Sequence, residues 1–131
     1  MILPYLAVVL LAFIALGRGL YYYIQLTHVA NEGARIASVS QPTMPSPGGT
    51  IGHYLCSQLP GAIQSGSDAA QVTVGYPATQ NVGDPVTVSI STNYHIIPFF
   101  HAITITGAAT MRIENPPVAT GASYPATETC S

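Results

Sequence analysis

Residues 1–40 read MILPYLAVVLLAFIALGRGLYYYIQLTHVANEGARIASVS, and the change in hydrophobicity along this stretch decides the fold. The first sixteen residues carry no charge. As a helix they reach only about 24 Å, short of a ~30 Å hydrocarbon core. A cleavable signal peptide would show a basic n-region and a small-x-small site before Arg18, and the run shows neither. The helical pattern instead continues. Gly17, Arg18 and Gly19 lead to Tyr21, Tyr22 and Tyr23, which read as an interfacial aromatic belt with a snorkelling arginine. Beyond them, apolar and small residues fall at Tyr22, Tyr23, Leu26, Val29, Ala30, Gly33, Ile36 and Ala37, one helical stripe. His28, Asn31, Glu32, Arg35 and Ser38 fall opposite. The spacing predicts one helix over about 4–40, roughly 55 Å long, greasy all round in its first half and amphipathic in its second. Pro4 suits its first turn, and the three prolines and two glycines of QPTMPSPGG (41–49) end it.

Working outward, residues 50–63 form a short helix capped by Thr50 and interrupted at Pro60, with Ile51, Tyr54, Leu55 and Leu59 inward. After Gly66 the period becomes two. Val72, Val74 and Tyr76 alternate with polar or small residues. After a turn-rich link (77–84), Val86, Val88 and Ile90 do the same. A third run sets Ile103, Ile105, Ala109, Met111 and Ile113 against Thr104, Thr106, Thr110, Arg112 and Glu114. These are half-buried antiparallel strands. From Asn115 the chain is rich in Pro, Ala, Ser and Thr and reads as a tail without a strand partner. The expected organisation is a membrane or filament-core helix (1–24), its amphipathic continuation (25–40), an extracytoplasmic α+β domain (41–114) and a tail (115–131). The fold class is α+β and pilin-like: a long N-terminal helix packed on a small three-stranded antiparallel sheet. The sheet covers the stripe and the greasy half protrudes, which requires burial in a bilayer or among other copies.

Composition agrees. Of 131 residues 48% are hydrophobic and 6% charged, about a quarter of the usual charged share. A surface with so little charge suits a membrane protein or one packed against its own copies. The net charge of −2 and the absence of a basic cluster argue against nucleic acid as a partner. Cys56 and Cys130 are the two cysteines, in no C-x-x-C or Cys/His spacing. An even count in an exported chain favours a Cys56–Cys130 disulfide holding the tail to the short helix; the alternative is two unpaired thiols.

No catalytic centre is expected. His28, His53, His95 and His101 are scattered, and no two of them have the i, i+4 helical spacing or share a nearby carboxylate, so neither a metal nor another cofactor is called for. Ser57 and Ser65 lie in no nucleophile elbow. The apolar Ile96–Phe100 run, IIPFF, either plugs the bottom of the sheet or forms a contact patch. Gly33 on the apolar stripe costs about 1 kcal/mol relative to Ala, which close approach of the sheet would explain. Glu32 and Arg35 form either a solvated i, i+3 pair worth ~0.2–0.5 kcal/mol or a contact to a neighbouring subunit.

The stretch from Phe13 to Val39 closely resembles the TadE-like proteins of tight-adherence (Flp-type) pilus systems. An apolar helix leads into Gly17-Arg18, then Tyr21 to Tyr23, then Asn31-Glu32-Gly33-Ala34-Arg35. Downstream, Val86 to Tyr94, the Ile96–Phe100 loop and Met111-Arg112-Ile113-Glu114 fit the same pattern. The family's proteins usually carry a basic leader, a processing Gly and a Glu at the fifth mature position. Here position 5 is Tyr5 and no acidic residue precedes Glu32. Either Met1 is a processed terminus without that Glu or an upstream piece is missing, and the lack of a preceding basic residue favours the second.

The resemblance implies a pilin-like subunit that polymerises through its apolar helix, with Leu6, Val9, Leu10, Phe13, Ile14 and Arg18 at the subunit or membrane interface. Implied partners are copies of itself in a helical homopolymer, other pilins, the inner membrane before assembly and the pilus secretion machinery. The chain would sit first in the inner membrane and then in an extracellular filament. The other readings are a minor pseudopilin or assembly factor that stays in the membrane, and a membrane-anchored adhesin.

Overall fold

A computed structural model describes residues 2–39, 50–66, 68–76, 81–95, 102–115 and 126–130. The Ile96–Phe100 run, His101 and the helix-ending segment 41–49 lie outside the described residues. Helix α1 spans Leu3–Ser38, 36 residues without a break, with a proline in its first turn and Arg35 in its last. An arginine there complements the negative end of the helix dipole. Helix α2 is Ile51–Gln58. The Thr50 side chain caps it by accepting from the His53 backbone N–H, and Pro60 separates it from a 3-10 turn at Gly61–Ile63.

Strands β1 (Gln71–Gly75), β2 (Pro85–Tyr94), β3 (Ile103–Arg112) and β4 (Ala126–Thr129) form one sheet in the order β3-β2-β1-β4, and every neighbouring pair is antiparallel. The α+β class and the helix-on-sheet plan are as expected. The strand count is not: the sheet has four strands, and the fourth comes from the supposed tail. Without β4, the outer edge of β1 would present unpaired N–H and C=O groups. Instead β4 pairs along it from Val74↔Ala126 to Gln71↔Thr129, and the Cys130 N–H donates to the Ala70 carbonyl. A disulfide joins Cys130 to Cys56 on α2, with Cα atoms 5.4 Å apart. Glu128 shares the helix-facing side with Val72, and its carboxylate accepts from the Thr50 hydroxyl at the start of α2.

The core lies between α1, α2 and one face of the sheet. Leu26, Leu55, Ile90, Ile113, Val72, Val86 and Val88 are fully buried, and each such side chain contributes about 1.5–3 kcal/mol relative to exposure. Two glycines set how closely the layers approach. A Cβ on Gly107 of β3 would lie 2.6 Å from the backbone carbon of Leu26 and the backbone nitrogen of Thr27, so the helix backbone rests directly on this strand. A Cβ on Gly33 would lie 2.6 Å from Leu55 Cδ1 and 3.1 Å from Val88 Cγ1, which accounts for a glycine on the apolar stripe.

Four positions depart from the predicted pattern. Ser38, expected on the polar side, is buried: its hydroxyl donates to the Arg35 carbonyl, and its own carbonyl accepts from the N–H groups of Glu114 and Asn115. These bonds satisfy the helix end where the chain leaves β3. Ala34 is buried although the stripe omitted it, while Tyr23 is exposed, because the buried face centres on Leu26, Ala30, Gly33 and Ala37. Ile103, expected inward, is 51% exposed. Its ladder partner Tyr94 takes the place against the helix, stacking edge-on to Tyr22 at 5.4 Å and donating its hydroxyl to the Ala15 carbonyl at 3.3 Å. Ile105, Ala109 and Met111 pack on the core as half-buried residues.

Gly107→Val is expected to cost ~1–3 kcal/mol or more, because its methyls meet helix backbone that cannot repack. Gly61→Ala, where a Cβ meets nothing within 4 Å, serves as control in the same thermal unfolding experiment. Removing the disulfide as Cys56→Ala/Cys130→Ala, which opens a loop with a sequence separation of 74, is expected to lose about 4 kcal/mol. Hydrogen exchange should show the β4 amides losing protection before those of β2.

Candidate membrane and assembly surface

The helix is longer than the sheet beneath it. Strands β2 and β3 are ten residues each, roughly 33 Å, whereas 36 helical residues extend roughly 54 Å. Contacts at the two ends fix where the overhang falls. At the top, the Tyr76 hydroxyl donates to the Ala37 carbonyl and β3 runs out against Ser38. At the bottom, Tyr94 reaches Ala15. Residues from Leu3 to Ile14 therefore extend beyond the sheet.

Leu6, Val9, Leu10, Phe13 and Ile14, the expected interface residues, all lie on this overhang and are between 51% and 70% exposed. Arg18 is exposed as well, one turn above the Tyr94 contact. α1 contains an 18-residue stretch long and apolar enough to cross a membrane, and none of it is buried within the chain. Uncovered leucine-sized side chains each forgo about 1.5–3 kcal/mol of burial, so such a helix demands lipid or protein around it. The exposed apolar face continues past the foot of the sheet through Leu16, Leu20 and Ile24, with the exposed rings of Tyr21 and Tyr23 beside it.

The residues of the Asn31–Arg35 element separate by role. Gly33 and Ala34 turn inward and let α2 and β2 approach, whereas Glu32 and Arg35 are exposed. Among the described residues no ion pair joins Glu32 to Arg35; the ion pair present is Asp68–His95, at 3.2 Å. Gly17 has open space around it. Arg112 and Glu114 are exposed near the top of β3, and the Glu114 backbone rather than its side chain holds the end of α1.

Three features were missed from sequence. Gly107 stands at an inward position of a Thr/Ile strand, and that position is the one signal the sequence offers for it. The β4 strand gives none, because its inward residues are a small Ala126 and the charged Glu128. Gly52 was also overlooked: a Cβ there would run into the Glu128 carboxylate, so the start of α2 needs a glycine to dock on β4. His53, Gln64 and Glu128 line a cleft beside the disulfide. Among the described residues no group of three or more His, Cys, Asp or Glu could hold a metal ion.

No curated protein and no solved structure matches the chain. Residues 1–35 match the family model described as TadE-like protein, a match that covers the overhang, the Tyr belt and the helix up to Arg35. Most of the N-terminal helix of this chain is therefore similar to the matching segment of TadE-like proteins.

Proposed function

We propose that this chain is a structural, non-catalytic subunit of a tight-adherence pilus that polymerises through α1. One observation carries the reading: a single helix is docked on its own sheet at one end and wholly uncovered at the other. Within a filament, the uncovered half is buried among the equivalent halves of other copies, and the sheet domain forms the outer layer. Before assembly the same half resides in the inner membrane, with Arg18 and the tyrosines at the interface. Burial among sister helices replaces burial in lipid, so the transfer from membrane to filament exposes little apolar surface to water. The exposed Glu32 and Arg35, unpaired with each other, are available to a neighbouring copy, where a charge pair contributes register more than stability.

A second reading, a membrane-held minor component or assembly factor that never polymerises, is favoured by the belt of Arg18, Tyr21 and Tyr23, which serves a permanent anchor equally well.

The variant Ile14→Asp separates folding from assembly, because Ile14 lies beyond the sheet. It is expected to retain the Cys56–Cys130 bridge and the near-ultraviolet signature of the tyrosine cluster while cells lose filaments in electron micrographs. Filaments formed normally by this variant would refute the polymerisation reading. Absence of the wild-type chain from purified filaments would favour the minor-component reading.

A further inference from the structure

The uncovered apolar face of α1 and the foot of the sheet overlap in height, and this has a consequence for how the chain sits in a bilayer. Apart from Arg18, the exposed residues of α1 are apolar or small from Leu3 to Ile24, 22 helical residues or roughly 33 Å, which matches a ~30 Å hydrocarbon core. Yet the sheet reaches down to Ala15, where Tyr94 donates its hydroxyl, and the Tyr94 ring lies 3.8 Å from a Cβ placed on Gly19. Only Leu3 to Ile14, roughly 18 Å, are clear of the sheet. A bilayer surface drawn at Ala15 would leave Leu16, Leu20, Tyr21, Tyr23 and Ile24 in water, each more than half exposed.

We infer that the β2–β3 end of the sheet is itself a membrane-contacting surface, immersed in the interfacial region of the bilayer beside α1. This rests on the membrane anchoring of α1 and adds a second, independent contact to it. The occupant is lipid because the surface is continuous with the candidate membrane-spanning segment and has interfacial chemistry. Tyr94 and the half-exposed Ile103, ladder partners at the foot, supply a phenol and an aliphatic group. Tyr94, which meets the helix between Ala15 and Gly19, sits five to nine helical residues below Ile24, roughly 8–13 Å, with Ile103 opposite it on the ladder. Arg18 lies at the same height, and its long side chain can carry the guanidinium up to phosphate level. The polar groups nearby satisfy one another, so they do not oppose immersion in the interface: His95 pairs with Asp68 at 3.2 Å, and the buried Thr92 hydroxyl donates to the Asp68 carbonyl. A pilin-like domain seated this way leaves the membrane only by withdrawing both its helix and its sheet foot.

The chain contains no tryptophan, so one introduced indole reports depth without interference from a native one. The full chain is reconstituted in phosphatidylcholine/phosphatidylglycerol vesicles with or without brominated acyl chains. The variants are Ile103→Trp, Ala102→Trp as a second exposed site at the foot, Phe13→Trp on the overhang, and Thr110→Trp, roughly 23 Å up the strand. Retention of the disulfide and of the far-ultraviolet spectrum confirms folding of each. Ile103→Trp and Ala102→Trp are expected to emit at blue-shifted wavelengths and to lose most emission to lipids brominated near the headgroup. Phe13→Trp should be quenched best by deeper bromines, and Thr110→Trp by neither. Quenching of Phe13→Trp without quenching at 102 and 103 would overturn the inference and leave the anchor standing. Quenching at none of the sites would remove the anchor and the inference together. A blue shift at 103 that ignores bromine and disappears when the protein is diluted in lipid would assign the foot to a second copy and overturn the inference.

Discussion

The rest of the structure depends on the backbone-to-backbone approach of α1 to β3 at Gly107. A helix normally meets a sheet through two layers of side chains. Here one layer is absent: the helix backbone at Leu26 and Thr27 occupies the space a Cβ on Gly107 would need. This sets the height of the helix over the sheet, and small residues follow from it at Ala30, Gly33, Ala34 and Ala37, all buried on the same face. Large side chains return where the layers diverge, with Leu55 of α2 filling the space over Gly33 and Tyr22 and Tyr94 filling the space near the foot. Because the register of helix on sheet is pinned there and at Ala37–Ser38, the surplus length of the helix must project at its N-terminal end. The exposed apolar overhang is thus a geometric result of a roughly 54 Å helix on a roughly 33 Å sheet, and the assembly reading grows from that mismatch.

The opposite edge is handled by a different device. A five-residue β1 would be a bare edge in a chain with little charge to discourage edge-to-edge pairing. A four-residue β4 covers it, and so short a strand holds poorly by itself. The bond from Cys130 to Cys56 and the bond from the Thr50 hydroxyl to Glu128 tie β4 to both ends of α2. The disulfide therefore closes the sheet as well as restraining the unfolded chain. The long β3 edge has no such cover among the described residues, and its outward positions are mainly Thr and Ala.

Much of this was legible in the sequence, for identifiable reasons. The helix, its proline start and its division into greasy and amphipathic halves follow from hydrophobic periodicity over a long run, where a few irregular positions do not obscure the period. Strands β1 to β3 follow from alternation of apolar with polar residues, interrupted at Gly107 and Ala108 of β3. The exposure of the apolar positions Leu6 to Ile14 was legible because the sheet is too short to cover them. What escaped notice depends on contacts distant in sequence. Strand β4 lacks an apolar face because Glu128 turns inward to a hydroxyl 78 residues away. Ser38 reads as polar surface until the chain following β3 arrives to use its carbonyl. Ile103 reads as core until Tyr94, its ladder partner, takes the site against the helix.

The central claim, one helix with a docked end and a bare end, is tested most directly by nuclear Overhauser contacts. The sample is the full chain in lipid nanodiscs, with isotope-labelled and unlabelled copies mixed. The account predicts intramolecular contacts from the Gly107 Hα protons to Leu26 and Thr27, while Leu10 and Phe13 show contacts only to lipid acyl chains or to differently labelled copies. Intramolecular contacts from Leu10 or Phe13 to any strand, or none between Gly107 and the helix, would contradict it.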